Sequence, residues 1–488
     1  MHSASEKELY DVWTRQEFKD VFKTIDGEEI SVLDPGFRSN DLPGPDFKNA
    51  RIRIGNITYV GDVEIDPDYN DWKNHGHNID SRYNKVILHL SLSNKNHYNH
   101  VYNKDGRKIP TVCLLDFLKE EDTSIPKKDD NENEKGYSIK CSDYHHSCSL
   151  ETKNNYLAKL GLERFEKKCS KIYDRLKEVK YINEFHLSEP VISYDLSEKF
   201  HERNFSNRDF QEKDIWKQIL YEQIFEALGY SKNKSQMLEL ARLAKISYLN
   251  KLDIDGITID KFESILFHIS GLIPDLEKLK EEETKRYLER LGIIWDAVKP
   301  FYDGAYMEKE KWNFFRLRPQ NFPTLRIKAG AKILNAIMHE NLIPVIAKKI
   351  IEIRNLTVLI NSLRSVFVIK ANGFWQNHYV FDQRANTQIK YFIGISRSDE
   401  IIINVILPYF SVYFEVFGNT QAAKKILKIY EIYNQKSDNS LITDMAKALG
   451  ILEESKRTII SQGMIELFRG YCSKNRCLEC EIGKIVFN

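Results

Sequence analysis

The chain has 488 residues, enough for two or three separately packed domains. Its 42% apolar and 29% charged residues exclude a disordered or membrane-embedded polypeptide. Lys+Arg and Asp+Glu nearly cancel at 72 against 71, so no global basic field points to avid non-specific nucleic-acid binding, although a local basic groove is compatible with that total.

The N-terminus, MHSASEKELYDVW, lacks a basic region followed by an apolar run, so no signal peptide is expected. From Glu6 to about Phe22 the residues Leu9, Val12, Trp13, Phe18, Val21 and Phe22 form a helical stripe. TIDGEEISVLDPGF reads as a turn and strand, and DPGFRSNDLPGPDF as a loop that delivers Asp46 to the next strand. Strands are predicted around ARIRIG and ITYVGDVEI, a helix or helical turn over Asp71 to Tyr83, and a strand at VILHLSL. IPTVCLLDFL adds an edge element to this compact α/β unit, whose order is helix, strand, strand, strand, helix, strand.

Within it, Asp62, Glu64 and Asp66 share one face of a strand while Val63 and Ile65 share the other. Carboxylates in such a row repel one another unless a cation lies among them or one is protonated. Asp46 reaches the same place if its strand pairs with theirs, which is how a hard divalent ion is commonly held. His75 and His77 face different sides of a helix but could both reach one ion from an extended turn. His75, four residues after Asp71, is the candidate proton carrier. His89, between Leu88 and Leu90, reads as a hydrogen-bonded core histidine.

KEEDTSIPKKDDNENEKG, from Lys119 to Gly136, is charged and poor in apolar residues, so residues 119–138 are expected to form a linker. Beyond it, apolar residues recur at three- and four-residue steps through Leu150 to Lys177, IWKQILYEQIFEALGY and later segments, which predicts packed amphipathic helices. IIINVILPYFSVYFEVF is broken by Asn404, Pro408, Ser411 and Glu415 and reads as buried rather than membrane-spanning. WNFFRLRPQNFPTLRIKAGAKI interleaves Arg316, Arg318, Arg326 and Lys328 with aromatic rings. Guanidinium forks bind phosphate and rings stack on bases, so this stretch is either a nucleic-acid contact or a loop whose arginines pair with carboxylates. GFWQNHYVF, from Gly373, is expected to pack in the core.

The tail YCSKNRCLECEIG sets Cys472, Cys477 and Cys480 in a C-x4-C-x2-C pattern, suited to zinc or an iron–sulfur cluster. Both usually take four protein ligands, so a fourth comes from elsewhere: Cys141 first, Cys148 as the alternative, then Cys113 or Cys169. Seven unevenly spread cysteines do not form a secreted disulfide framework, and a cytoplasmic setting is expected.

LYDVW, GPDFKNARI, GDVEI with DWKNHGH, YNKVILHL, WKQILYEQIFEALGY, RLRPQNFP, NHYVF, IINVILP and SQGMIELFRGYCSKNRCLECEIG together resemble the bacterial domain-of-unknown-function 2851 family from end to end. The N-terminal part resembles, more loosely, the PD-(D/E)XK nuclease fold. That resemblance makes Asp46 the first acid and Glu64 the second, but Asp66 stands where the fold carries lysine. An aspartate can only accept a proton or ligate, so Asp66 is either a third ligand or a sign of weakened catalysis. Some nucleases of that fold carry an iron–sulfur staple from one upstream and three downstream cysteines, which Cys141, Cys472, Cys477 and Cys480 resemble.

The expectation is therefore an α+β protein, with a restriction-endonuclease-like domain over 1–118 and a mainly helical domain over 139–488. The expected function is metal-dependent cleavage of DNA or RNA, with Mg²⁺ or Mn²⁺ on Asp46 and Glu64, assisted by Asp66 or Asp62. The four cysteines would hold a [4Fe–4S] cluster or Zn²⁺. The alternatives are an inactive nucleic-acid-binding scaffold on the same fold and a hydrolase of small phosphoesters.

Overall fold

A computed structural model describes residues 6–16, 22–24, 27–38, 44–94, 98–117, 139–185, 200, 202–252, 259–314, 317–435 and 439–487. The chain divides into two units, Met1–Glu134 and Lys135–Asn488. The expected linker, 119–138, lies outside the described residues, and so does Arg316.

In the first unit the helix α1 (Glu6–Arg15) precedes eight strands: β1 (Phe22–Lys23), β2 (Glu29–Asp34), β3 (Phe37–Arg38), β4 (Phe47–Ile54), β5 (Ile57–Asp68), β6 (Val86–Ser93), β7 (His100–Tyr102) and β8 (Lys108–Cys113). They form one mixed sheet in the order β1-β2-β4-β5-β6-β8-β7, with β3 also paired to β4. β4 and β5 are antiparallel, whereas β5–β6 and β6–β8 are parallel. The segment expected at the edge, β8, instead lies inside the sheet. The short β7, which carries too few residues to show a strand pattern, takes the edge.

Alternation along β5 sorts its side chains as expected. Val63 and Ile65 join Leu9, Trp13 and Phe47 in an apolar core. Asp62, Glu64 and Asp66 are buried as well, at 7%, 5% and 3% exposure. A smaller cluster includes Trp72 and Tyr83, together with Val86, Val101 and Ile109. Carboxylates so deeply removed from water demand partners, because an uncompensated buried charge is costly.

The second unit is mainly helical around one contiguous core. Its longest helix, α3 (Leu150–Glu184), begins at Ser149, whose side chain accepts from the Thr152 N–H. Two glycines bring α3 against the helix Thr458–Gly470: a Cβ on Gly161 would meet the Ile459 carbonyl oxygen at 2.2 Å, and one on Gly463 the Leu157 carbonyl oxygen at 2.0 Å. The two backbones therefore touch, and this contact carries the C-terminal segment back to the start of α3. The apolar run from Ile401 passes through a π-helical turn, Ile402–Ile406, and is largely buried. Among the described residues no helix is long and apolar enough to cross a membrane.

Candidate metal centre

The acidic row of β5 is served by three kinds of partner. A bulge in β4 interrupts the β4–β5 register between Phe47 and Ala50, and Asn49 adopts a positive φ of 55°. The freed Asn49 N–H donates to Asp62 Oδ1 at 3.2 Å. This bond ties Asp62 to the bulge. Asp46, just before β4, donates its N–H to Glu64 Oε2 at 3.0 Å, so the two acids do converge across the strand pair. The Asp46 carboxylate is held by the Tyr10 hydroxyl at 2.7 Å and the Ile65 N–H at 3.0 Å. Those contacts fix the Asp46 side chain beside Glu64.

Histidines supply the third kind. The helix α2 (Asp71–Asn74) lasts a single turn, and Gly76, at φ 77°, redirects the chain. A helical His75 and His77 would diverge; this turn aims both at Asp66. His75 Nδ1 lies 3.3 Å from Asp66 Oδ1. His77 Nδ1 lies 3.4 Å from Glu64 Oε1 and 3.7 Å from Asp66 Oδ2. His89 Nε2 is 3.2 Å from Asp66 Oδ2 and its Nδ1 is 3.1 Å from Thr111 Oγ1. An ionised Asp66 only accepts, which assigns the His89 proton to Nε2 and lets Thr111 donate to Nδ1.

Burial, then the neighbouring His75 and His89, pushes His77 down to about 3. Burial does the same to His89, also to about 3. Both imidazoles are therefore neutral near pH 7. Burial, then Glu64 and Asp46, raises the Tyr83 phenol above its ordinary range and keeps it protonated. His77 is 5% exposed, and its Nδ1 has no hydrogen-bond partner. A buried nitrogen between two acids and without a hydrogen bond calls for a partner. Asp66, His75 and His77 each offer one ligand atom within 4.8 Å of the others, and His75 is the exposed member.

Elsewhere, Glu281, Glu283 and His378 also approach one another, but Arg384 bonds both glutamates. Arg326 is 5% exposed and donates to the Phe392 and Gln320 carbonyls and to Asn321. Its expected phosphate contact is replaced by a packing role. Lys328 pairs with buried Glu263 at 2.5 Å. Trp375, fully buried, also donates to Glu263, in keeping with the core role expected of its segment. Arg318 remains exposed.

Cys141, Cys472, Cys477 and Cys480 line one cavity of the second unit, and all four are free thiols. Burial first, then Cys141, Cys480 and Cys477, pushes the Cys472 thiol up to about 12. Cys148 and Cys169 instead donate to the Ser149 and Pro408 carbonyls, and Cys113 belongs to the first unit.

Two matches to the family model described as "Protein of unknown function (DUF2851)" cover residues 6–187 and 182–439. The chain belongs to this family. No curated protein and no solved structure matches it. In this DUF2851 chain the first match contains every residue of the β5 centre, from Asp46 to His89, while Cys472, Cys477 and Cys480 lie beyond the second.

Sequence reasoning weighed His77 as able to reach an ion from an extended turn but chose His75 alone among the histidines as a site residue. The signal was present: His-Gly-His directly after a single helical turn places a glycine where the two imidazoles can be turned to one side.

Proposed function

We propose that the first unit is a divalent-metal-dependent phosphodiesterase of nuclease type, acting on DNA or RNA. The observation that carries the reading is His77 Nδ1, buried and without a hydrogen bond at 3.4 Å from Glu64 and 3.7 Å from Asp66. Asp66, His75 and His77 would hold the ion. Two imidazoles beside carboxylates suit Mn²⁺ or another first-row ion better than Mg²⁺, which prefers an all-oxygen shell. A divalent ion bound there supplies charge neutralisation at a phosphate and activation of water.

The chain's own residues take the remaining tasks. Glu64 accepts the proton of the attacking water as general base. Asp46 fixes Glu64 through its backbone N–H. His89, anchored by Thr111, orients Asp66. His75 is the exposed member of the three and the one that solvent reaches. A nucleic-acid substrate is favoured by the antiparallel pair β4–β5, on which Asp46 meets Glu64, followed by the turn α2 and the parallel strand β6. Among the described residues, exposed Arg318 is a candidate for a phosphate contact.

The test is incubation of the full chain with labelled single- and double-stranded DNA and RNA in Mn²⁺. Glu64→Gln is expected to lower cleavage by about 10²–10⁴-fold, the usual range for a general base. Cleavage that survives Glu64→Gln and Asp66→Asn unchanged overturns the assignment. Activity confined to small phosphoesters moves the substrate class away from nucleic acid.

A further inference from the structure

The second unit carries a separate inorganic site, and its argument does not rest on the function proposed above. Cys141 precedes α3, whereas Cys472, Cys477 and Cys480 follow the helix Thr458–Gly470. The sequence alone leaves more than three hundred residues between these two groups. The close contact of Gly161 and Gly463 with the facing backbones joins the helices that bear them. The four sulfurs then line one cavity, walled by Met445, Leu449, Leu467 and Ile482.

Several details mark the cavity as built around its sulfurs. The Gly483 N–H donates to Cys480 Sγ at 3.4 Å. The Tyr156 side chain also hydrogen-bonds Cys480. A Cβ on Gly483 would meet the Cys477 carbonyl oxygen at 2.1 Å, so only glycine permits the helix Glu481–Phe487 to lie this close to the cysteine loop. Backbone N–H donors and apolar walls are the means by which proteins stabilise thiolate-bound clusters.

Two inorganic groups take four thiolates. Tetrahedral zinc with bonds of about 2.3 Å draws its four sulfurs to roughly 3.8 Å from one another. All four cysteines line one cavity, and its apolar walls with the N–H donor on Cys480 suit the larger cluster. A four-iron cubane takes one thiolate at each iron corner and holds its sulfurs farther apart. We propose that Cys141, Cys472, Cys477 and Cys480 hold a [4Fe–4S] cluster that fastens the C-terminal segment to the loop before α3.

The experiment uses the full chain, purified without oxygen and, where iron is low, incubated with ferric iron, sulfide and a thiol reductant under argon. About four iron and four acid-labile sulfide per chain, with broad visible absorbance and a four-iron Mössbauer signature, are expected. One zinc per chain with no iron overturns the proposal, as does folded protein that takes up no cluster. Cys472→Ser and Cys477→Ser are expected to lose the cluster, while Cys148→Ser and Cys169→Ser keep it. Should the first pair fail to fold, the wild-type stoichiometry and the second pair decide: a cluster lost in Cys148→Ser or Cys169→Ser contradicts the ligand assignment.

Discussion

Tyr83 lies face to face with His77, ring centroids 4.0 Å apart and planes 9° from parallel. Trp72 meets the same imidazole edge-on at 5.3 Å. The two rings fix where the unpartnered His77 nitrogen points, so they support the centre without ligating. Tyr83→Leu is expected to lower Mn²⁺ affinity by about 10-fold or more, the range for outer-shell partners, while the chain stays folded. Isothermal titration calorimetry checks this; an unchanged dissociation constant removes the stacking ring from the account.

The neutral histidines make the metal-free first unit sensitive to acid. His77 and His89 are held down near 3 in the fold and return to about 6.5 when it opens. Between those values the unfolded chain binds more protons, so stability falls as pH is lowered below about 6.5 and goes on falling until about 3. The slope is up to about 1.4 kcal/mol per pH unit for each histidine. Urea titrations in chelator at pH 7 and pH 5 are expected to show a lower midpoint at pH 5, and His89→Gln is expected to shrink the difference. Equal midpoints would contradict the buried, neutral assignment.

In the second unit, Gly463→Ala places a methyl group against the Leu157 carbonyl oxygen. Backbone cannot yield as a flexible side chain does, so a loss of about 1–3 kcal/mol is expected. Chemical denaturation measures it. The same variant is expected to lower cluster retention, because this contact carries the C-terminal cysteines toward Cys141.

Glu263, fully buried, accepts from Tyr287, Trp375 and Lys328. Glu263→Gln leaves the Lys328 ammonium without its counter-charge, with an expected cost of about 3–5 kcal/mol. The double variant with Lys328→Met is expected to recover part of that loss. Denaturation of the two variants separates these outcomes.

Much of the first unit was legible because strand alternation is local: GDVEI sorts its own acids from its own apolar residues, and the sheet buries both sets. The acids' partners were less legible. His77 depends on a helix that stops at Asn74 and on the left-handed Gly76, neither of which periodicity can register. Asp46 was correctly brought to Glu64, but the Tyr10 hydroxyl that engages its carboxylate comes from α1, a distant element. Arg326 looked like a basic contact in an aromatic stretch, yet Pro323–Met338 is buried on nearly every side and takes the arginine with it. The tail cysteines stood out by spacing alone, whereas Cys141 shares their cavity because two helices meet at glycines far apart in the chain.

The most direct measurement is anomalous diffraction from crystals of the full chain soaked in Mn²⁺. The account predicts one peak in the first unit within bonding distance of Asp66, His75 and His77, beside the Glu64 carboxylate. A peak bound by Asp46 and Asp62 without either histidine, or no peak among these residues at saturating Mn²⁺, would contradict it.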